Sequence, residues 1–337
     1  MDKWLASSCL QKSIRRGYTD TALRMGEWFL TNDKAYILRR MEVILSEDIG
    51  IGNPALVYRY LAATGKAREA SLLELIRESC ESPKDRNAAE LSQAIENHSS
   101  FEIYRQQYGT FDDHALISII YDDALSIYQR AIAAWHIAGN KAYPSERIIS
   151  TRTGLDTLLE ALANIGVPEV ILHLTATATR KRLYGMGLGL AFSYLLARQD
   201  APVVAQERPR NQEVIGGIPA CAFDKHTRRG KQSIRQFAYT CLQVREVLEN
   251  IVPQDQWPRY VGLAVFHVES ENVSRRLTYC GWQEPLRLST EGHLCTESFS
   301  TGHLNTLLAV VENNLSRLNK IRNDNGQFLP KEGDYFQ

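Results

Sequence analysis

The densest group of side chains that could do chemistry lies at positions 224–231, where one aspartate, one histidine, one threonine and four basic residues stand together. Such a stretch at the start of a helix can bind an anion, because the first backbone N–H groups of a helix lack partners and the helix dipole favours negative charge. Arg228, Arg229 and Lys231 would add positive charge at the same place. The segment is therefore a candidate for contact with phosphate or nucleic acid.

Two residues of this segment also suggest proton transfer. Histidine titrates near neutral pH, and Asp224 lies two positions before His226, so the pair can form half of an acid–base or metal site. The plainer interpretation is that Thr227 or Asp224 caps the following helix, with His226 as a hydrogen-bonded junction residue. The sequence leaves capping, anion binding and catalysis open. If the chain catalyses a reaction, we expect it at Asp224 and His226.

A second basic group lies near the N-terminus. Lys12, Arg15 and Arg16 are three and four positions apart, so they share one face of a helix. Each can contact a phosphate and add salt-dependent affinity. The same residues can also form a solvated helix face or ion pairs with Glu47 and Asp48 across a helix junction, and we favour this interpretation because such pairs are common on helical surfaces.

A third basic group consists of Arg180, Lys181 and Arg182, at the end of a predicted helix. Cations in the last turn of a helix complement its dipole, which explains their presence without a ligand. Contact with an anion or with nucleic acid is the alternative interpretation. Both remain open at this point.

The sequence predicts no metal site and no cofactor. His114 lies near Asp112 and Asp122, but the spacing matches no metal-binding motif, and Asp112 is better explained as a helix N-cap. The six cysteines are scattered without a C-x-x-C pair, which favours free thiols over disulfides or structural zinc.

Helical periodicity runs through most of the chain and predicts an all-α fold, a multi-helix bundle in two halves. We expect an N-terminal helical domain at residues 1–138 and a C-terminal helical domain at residues 139–337. Residues 199–223 contain three prolines and two adjacent glycines, and they are predicted to form a long loop of the kind that often carries function. A small β-hairpin is expected near residues 282–300, and a mobile tail beyond Arg322.

Three short motifs follow one another between positions 10 and 54. They are Lys12-Ser13-Ile14-Arg15 with Asp20 and Ala22-Leu23, then Arg39-Arg40, then Ser46-Glu47-Asp48-Ile49-Gly50 with Pro54. In order and spacing this segment resembles the C-terminal helical domain of RarA/MgsA-type clamp-loader-like ATPases, a lid-to-collar domain that supports oligomer assembly. The resemblance implies a bundle of clamp-loader-collar type and a setting in DNA replication or repair.

The ATPase core that accompanies this domain in the family has no counterpart in the sequence. No G-x-x-x-x-G-K-[ST] motif occurs, and residues 64–67 lack both the upstream glycine and the hydroxyl that binds magnesium. We therefore expect a non-catalytic assembly or accessory factor that acts through self-association, an ATPase or other protein partner, or DNA, in the setting of a phage or mobile element. The alternative is an enzyme that processes nucleic acid or nucleotides with Asp224, His226 and the adjacent arginines.

Composition limits these choices. The chain has 337 residues with 39 basic and 39 acidic side chains, so the net formal charge is zero and any contact with nucleic acid must use a local patch. No segment approaches the roughly 18 apolar residues needed to cross a bilayer, and residues 1–16 lack the apolar core of a signal peptide. We expect a cytoplasmic protein without a membrane partner.

Overall fold

The computed structural model describes residues 1–183, 185–205 and 213–325. Within these ranges the chain forms nineteen α-helices and two small two-stranded sheets, which confirms the all-α class. The first ten helices are α1 (Lys3–Arg16), α2 (Thr19–Asn32), α3 (Lys34–Ile44), α4 (Pro54–Ala62), α5 (Gly65–Ala70), α6 (Leu72–Glu81), α7 (Asn87–Asn97), α8 (Phe101–Gly109), α9 (Asp113–Tyr121) and α10 (Ile127–Ala138). The others are α11 (Leu155–Asn164), α12 (Glu169–Arg180), α13 (Met186–Ala197), α14 (Arg228–Thr240), α15 (Leu242–Leu248), α16 (Trp257–Ser270), α17 (Gln283–Leu294), α18 (Thr301–Asn313) and α19 (Leu315–Asp324).

Local signals in the sequence set several helix ends. The Asp2 side chain accepts from the Leu5 N–H at the start of α1, and Gly17 ends that helix with a φ of 72°, which glycine adopts without strain. Asn53 caps α4, which has Pro54 in its first turn. Between α3 and α4 the chain forms a π-helical turn, Leu45–Ile49, and a short 3₁₀ turn, Gly50–Gly52.

Among the described residues, three hydrophobic clusters form the core. The first joins α1–α4 and α6 to parts of α12 and α13 and to residues 215–223. The second joins α7–α13 and therefore includes helices on both sides of position 138. The third lies among α14–α19. The division of the chain into domains at residues 1–138 and 139–337 stays a prediction.

The predicted long loop contains more regular structure than expected. Its start holds β1 (Val203–Ala205), which pairs antiparallel with β4 (Arg276–Thr278). Its end holds a hairpin of β2 (Val214–Ile215) and β3 (Ile218–Pro219) and then a 3₁₀ turn, Ala220–Ala222. The hairpin turn is Gly216-Gly217, both at positive φ, as tight hairpin turns require. Residues 206–212 of the predicted loop and the tail beyond residue 325 lie outside the described residues.

The β-hairpin is therefore present, but at residues 214–219 instead of 282–300. Residues 283–294 form α17, which packs against α7. Its buried side chains, among them Pro285, Leu288 and Leu294, recur at helical spacing, and a proline in the first turn loses no helical hydrogen bond. The prediction of a hairpin at residues 282–300 is therefore wrong, because helical burial against α7 determines the structure of this segment.

No helix in the described part of the chain combines the length and apolarity that a membrane crossing requires.

Candidate anion-binding site

Two of the predicted basic groups, more than 200 positions apart in the sequence, meet around one cavity of about 830 Å³. This first cavity lies between α1, α3, the π-helical turn, the start of α14 and α16. Its charged side chains are Lys12, Arg15, Arg40, Glu47, Asp224, Arg228 and Lys231, with His226 beside them. The structure thus joins the candidates that the sequence placed in separate segments.

Lys12 and Asp224 form a buried ion pair across this cavity, and each side chain is only 5% exposed. Ser8 Oγ donates to Oδ2 of Asp224 at 3.0 Å, and the His226 backbone N–H donates to Oδ1 at 2.9 Å. Burial by itself raises the pKa of Asp224, but the Lys12 charge and these hydrogen bonds outweigh it and lower the pKa to about 2. Asp224 is therefore the ionised partner of Lys12 and a weak base.

The π-helical turn supplies the counter-charges for Arg15. Arg15 Nε donates to Asp48 Oδ1 at 2.7 Å, and Arg15 Nη2 lies 3.5 Å from Glu47 Oε1. Gln11 Nε2 donates to Asp48 at 2.8 Å, and Arg86 Nε lies 3.3 Å from the same carboxylate. Burial raises the pKa of Asp48, but Arg15 and Arg86 outweigh burial and hold it below its usual value.

The predicted ion pairing with Glu47 and Asp48 is confirmed for Arg15. It is wrong for Lys12 and Arg16, because Lys12 pairs with Asp224 and Arg16 donates to a backbone carbonyl of α16. The alternative of a solvated helix face is wrong too, since packing buries all three side chains.

Burial and the neighbouring Asp48 charge raise the pKa of Glu47. This carboxylate is thereby less able to neutralise the cations at the cavity than its formal charge suggests.

Three cations at the first cavity form no ion pair among the described residues: Arg40, Arg228 and Lys231. Arg40 nevertheless has a polar partner, because it donates to Gln11 Oε1, and its charge acts on Glu47. Arg228 and Lys231 are exposed in the first turns of α14, where the first turn contains no acidic residue. Positive charge at a helix N-terminus interacts unfavourably with the helix dipole, so Arg228 and Lys231 destabilise the start of α14. A bound anion would compensate both the side chains and the dipole.

Thr227 caps α14, because its Oγ1 accepts from the Gly230 N–H at 3.1 Å. The capping interpretation of this segment is therefore confirmed for Thr227. Capping does not explain Arg228 and Lys231, which line the first cavity, whereas Arg229 does not line it.

Aromatic side chains complete the first cavity. Trp4 is 59% exposed and lies outside the core, and Tyr36 packs edge-on against it with ring centroids 6.3 Å apart. The His226 ring packs edge-on against Phe266 at 5.7 Å, and partial burial keeps the pKa of His226 below its usual value. An exposed indole beside cations can stack on a nucleobase.

The other predicted basic residues lie elsewhere. Arg16 is buried and donates to a backbone carbonyl of α16 at 2.6 Å. Lys181 pairs with Glu42 at 2.8 Å, and Arg182 lines a separate cavity of about 590 Å³. Arg180 is exposed at the end of α12. None of these four residues lines the first cavity.

Asp112 caps α9 as predicted, since its Oδ1 accepts from the Ala115 N–H at 2.8 Å. In the part of the chain that the structure describes, no group of three His, Cys, Asp or Glu side chains is arranged to hold a metal ion. All six cysteines are free thiols, as the sequence indicates.

Several members of the site were not identified from the sequence, among them Trp4, Ser8, Tyr36, Arg40 and Phe266. The spacing of Trp4, Ser8 and Lys12 by four positions puts them on one face of α1, and this signal could have identified Trp4. No comparable signal exists for Arg40 and Phe266, because only tertiary packing brings α3 and α16 to the cavity.

No known protein-family model, curated protein or solved structure matches this chain. The likeness to the RarA/MgsA-type helical domain thus rests on the three motifs of residues 10–54.

Proposed function

We propose that this chain is a helical accessory protein that associates with nucleic acid and holds backbone phosphates at the first cavity. The observation that carries the proposal is that Arg228 and Lys231 line that cavity without an ion-pair partner among the described residues, with Arg40, which donates to Gln11, beside them. Unpaired cations beside a helix N-terminus are stabilised by a bound anion. Because the net charge of the chain is zero, such a local patch is the form that nucleic-acid contact has to take.

Aromatic side chains favour nucleic acid over a simple phosphate ion. Trp4 is 59% exposed and lines the same cavity as the unpaired cations. Base–aromatic stacking beside a positively charged groove is the usual arrangement of proteins that bind nucleic-acid strands. Large exposed indoles are otherwise uncommon, because burying them stabilises a fold.

A non-catalytic role fits Asp224 better than the enzyme alternative does. A general base needs a free lone pair and a pKa near the working pH. Asp224 accepts from Lys12, Ser8 and the His226 backbone, and its pKa lies at about 2. An enzyme at this site would therefore have to rely on His226 without help from Asp224.

The accessory role draws on the resemblance to the clamp-loader-type collar. We include in the proposal that the chain works with partner chains, either copies of itself or an ATPase, in the setting of a phage or mobile element. Size-exclusion chromatography with light scattering tests self-association. If the chain is a monomer at all concentrations and binds no ATPase, the proposal that it assembles with partner chains is wrong. The proposal that it binds nucleic acid is not affected by that result.

Fluorescence anisotropy with a labelled oligonucleotide tests the nucleic-acid part. Arg228→Ala and Lys231→Ala are each expected to weaken binding about tenfold, the effect of losing about 1.4 kcal/mol of charged hydrogen bonding. Arg180→Ala is the matched control, because Arg180 is an exposed cation that does not line the first cavity. Equal losses in all three variants, or no binding by the unmodified protein, would contradict the proposal.

A further inference from the structure

We infer that the anion-binding surface continues past Lys231 into a second cavity, so that the ligand is a nucleic-acid strand and not a small phosphate compound. This inference rests on the proposed function and deepens it, because it assigns Lys225 and Arg259 to the binding of the same ligand. The carrying observation is that two cavities share Lys231 as a lining residue.

The second cavity has a volume of about 490 Å³ and lies between the start of α14 and the N-terminal half of α16. In the described part of the chain, three cations line it, Lys225, Lys231 and Arg259, and no carboxylate does. Among the described residues, none of the three cations forms an ion pair. The second cavity is thus lined by positive charges without negative ones, whereas the carboxylates of Glu47 and Asp224 line the first cavity.

Packing holds Lys225 between the two cavities. Its Nζ lies 4.5 Å from the centroid of the Phe266 ring, and Phe266 lines the first cavity. A cation–π contact orients an ammonium group without neutralising it. Burial lowers the pKa of Lys225, and the neighbouring Asp224 charge opposes that shift. The ammonium group of Lys225 lies at the boundary where a ligand would pass from one cavity to the other.

Arg259 is a cation near the N-terminus of a helix, as Arg228 and Lys231 are at the start of α14. It is exposed in the first turn of α16, which contains no acidic residue, although Asp255 lies in the 3₁₀ turn directly before it. Two helices thus place unpaired cations at their N-termini along one surface, where each opposes the helix dipole. Unfavourable positive charge at two neighbouring helix N-termini points to a negatively charged ligand that contacts both.

A ligand with a single phosphate group cannot compensate both cavities. Held in the first cavity, it would leave Lys225 and Arg259 without a counter-charge. A strand with a repeating phosphodiester backbone supplies negative charge at regular intervals and can contact the two cavities together. The exposed indole of Trp4 at the first cavity favours a strand with bases over an acidic peptide.

Salt dependence measures the number of contacts. For single strands the logarithm of affinity falls with the logarithm of salt concentration by about 0.7 per phosphate contact. A trinucleotide with a 5′-phosphate carries three phosphate groups. Confined to the first cavity with three contacts, it is expected to bind about twentyfold more weakly at 200 mM than at 50 mM salt. A 15-nucleotide strand that also contacts Lys225 and Arg259 is expected to bind about 130-fold more weakly over the same range.

The decisive variant is Arg259→Ala, measured by anisotropy with oligo-dT, oligo-rU and a duplex of the same length. It is expected to reduce the salt slope of the 15-nucleotide strand by about 0.7, or by about 0.9 for a duplex, and to leave the trinucleotide unchanged. Arg259→Lys keeps the charge and should restore most of the affinity. Lys66→Ala is the control, because Lys66 is an exposed cation on α5 that lines neither cavity.

The outcomes separate the inference from the proposed function. If Arg228→Ala weakens binding but Arg259→Ala leaves the salt slope of the long strand unchanged, the second cavity takes no part and the inference is wrong while the function stands. If no oligonucleotide binds, both are wrong. If polyglutamate displaces the long strand at equal charge concentration, the surface recognises charge without bases, and the assignment to nucleic acid is overturned.

Discussion

Removal of the Lys12 ammonium is expected to destabilise the fold in a manner that depends on pH. Lys12 and Asp224 pair within the protein with side chains only 5% exposed. Lys12→Met keeps the length of the side chain and leaves the Asp224 carboxylate buried without its counter-charge. Breaking a buried pair in this way costs about 3–5 kcal/mol of unfolding free energy at neutral pH.

The pH dependence follows from the pKa of Asp224. In the unmodified protein it is lowered from 3.8 to about 2, which corresponds to about 2 kcal/mol of stability at neutral pH. That stability is present above the unfolded pKa and is lost as the pH falls from about 4 toward 2. In Lys12→Met, burial without the ammonium raises the pKa of Asp224 above its usual value, so the variant gains stability as the pH falls.

The difference in unfolding free energy between the two proteins should therefore be largest at pH 7 and should shrink on acidification toward pH 3. Urea unfolding followed by circular dichroism at several pH values measures it. Lys34→Met is a control, because the Lys34–Glu69 pair is 48% and 40% exposed and its loss should cost less than about 1 kcal/mol. A double variant, Lys12→Met with Asp224→Leu, should recover most of the loss, since it removes both buried charges.

Two results would refute this reasoning. One is a loss below about 1 kcal/mol in Lys12→Met at pH 7, which is the range of an exposed pair. The other is a difference from the unmodified protein that stays constant between pH 7 and pH 3, because the Asp224 charge would then not be its cause.

Three further predictions concern single positions. Trp4→Ala is expected to weaken binding of a single strand about tenfold and to abolish most of the fluorescence quenching by the strand, whereas Trp4→Phe retains stacking; equal affinities of all three proteins would contradict base stacking. Gly189→Ala places a methyl group against the Ala88 backbone carbonyl where α13 crosses α7, and a loss of about 1–3 kcal/mol in guanidinium unfolding is expected; an unchanged midpoint would show that the helices can separate. His226→Ala is expected to change the unfolding free energy by less than about 0.5 kcal/mol and to retain nucleic-acid binding, and loss of a measurable enzymatic activity in this variant would instead favour catalysis.

The sequence by itself determined the features that depend on neighbouring residues. The all-α class follows from helical periodicity, and the ends of α1, α4 and α14 follow from Asp2, Gly17, Asn53 and Thr227. Caps and left-handed glycines act within one turn of the chain, so their signals are complete in a short stretch of sequence. The same locality explains why the basic segments could be recognised as candidates.

Only the tertiary structure decided which charges are paired. Arg15 and Lys12 stand on one face of α1, yet their counter-ions come from the π-helical turn and from Asp224, which is 212 positions from Lys12. Because a charge is neutralised by whatever carboxylate packing brings near, the sequence could not distinguish the paired cations from Arg228 and Lys231.

Tertiary packing also determined the secondary structure of two segments whose local sequence pattern is weak. Residues 283–294 became helical against α7, and part of the predicted loop became β1 by pairing with β4, more than 70 positions away. Local propensity in such segments is small compared with the free energy of burying side chains against a neighbour. The sequence therefore determined the candidates for the site, and the packing of α3, α14 and α16 against α1 determined which of them share a cavity.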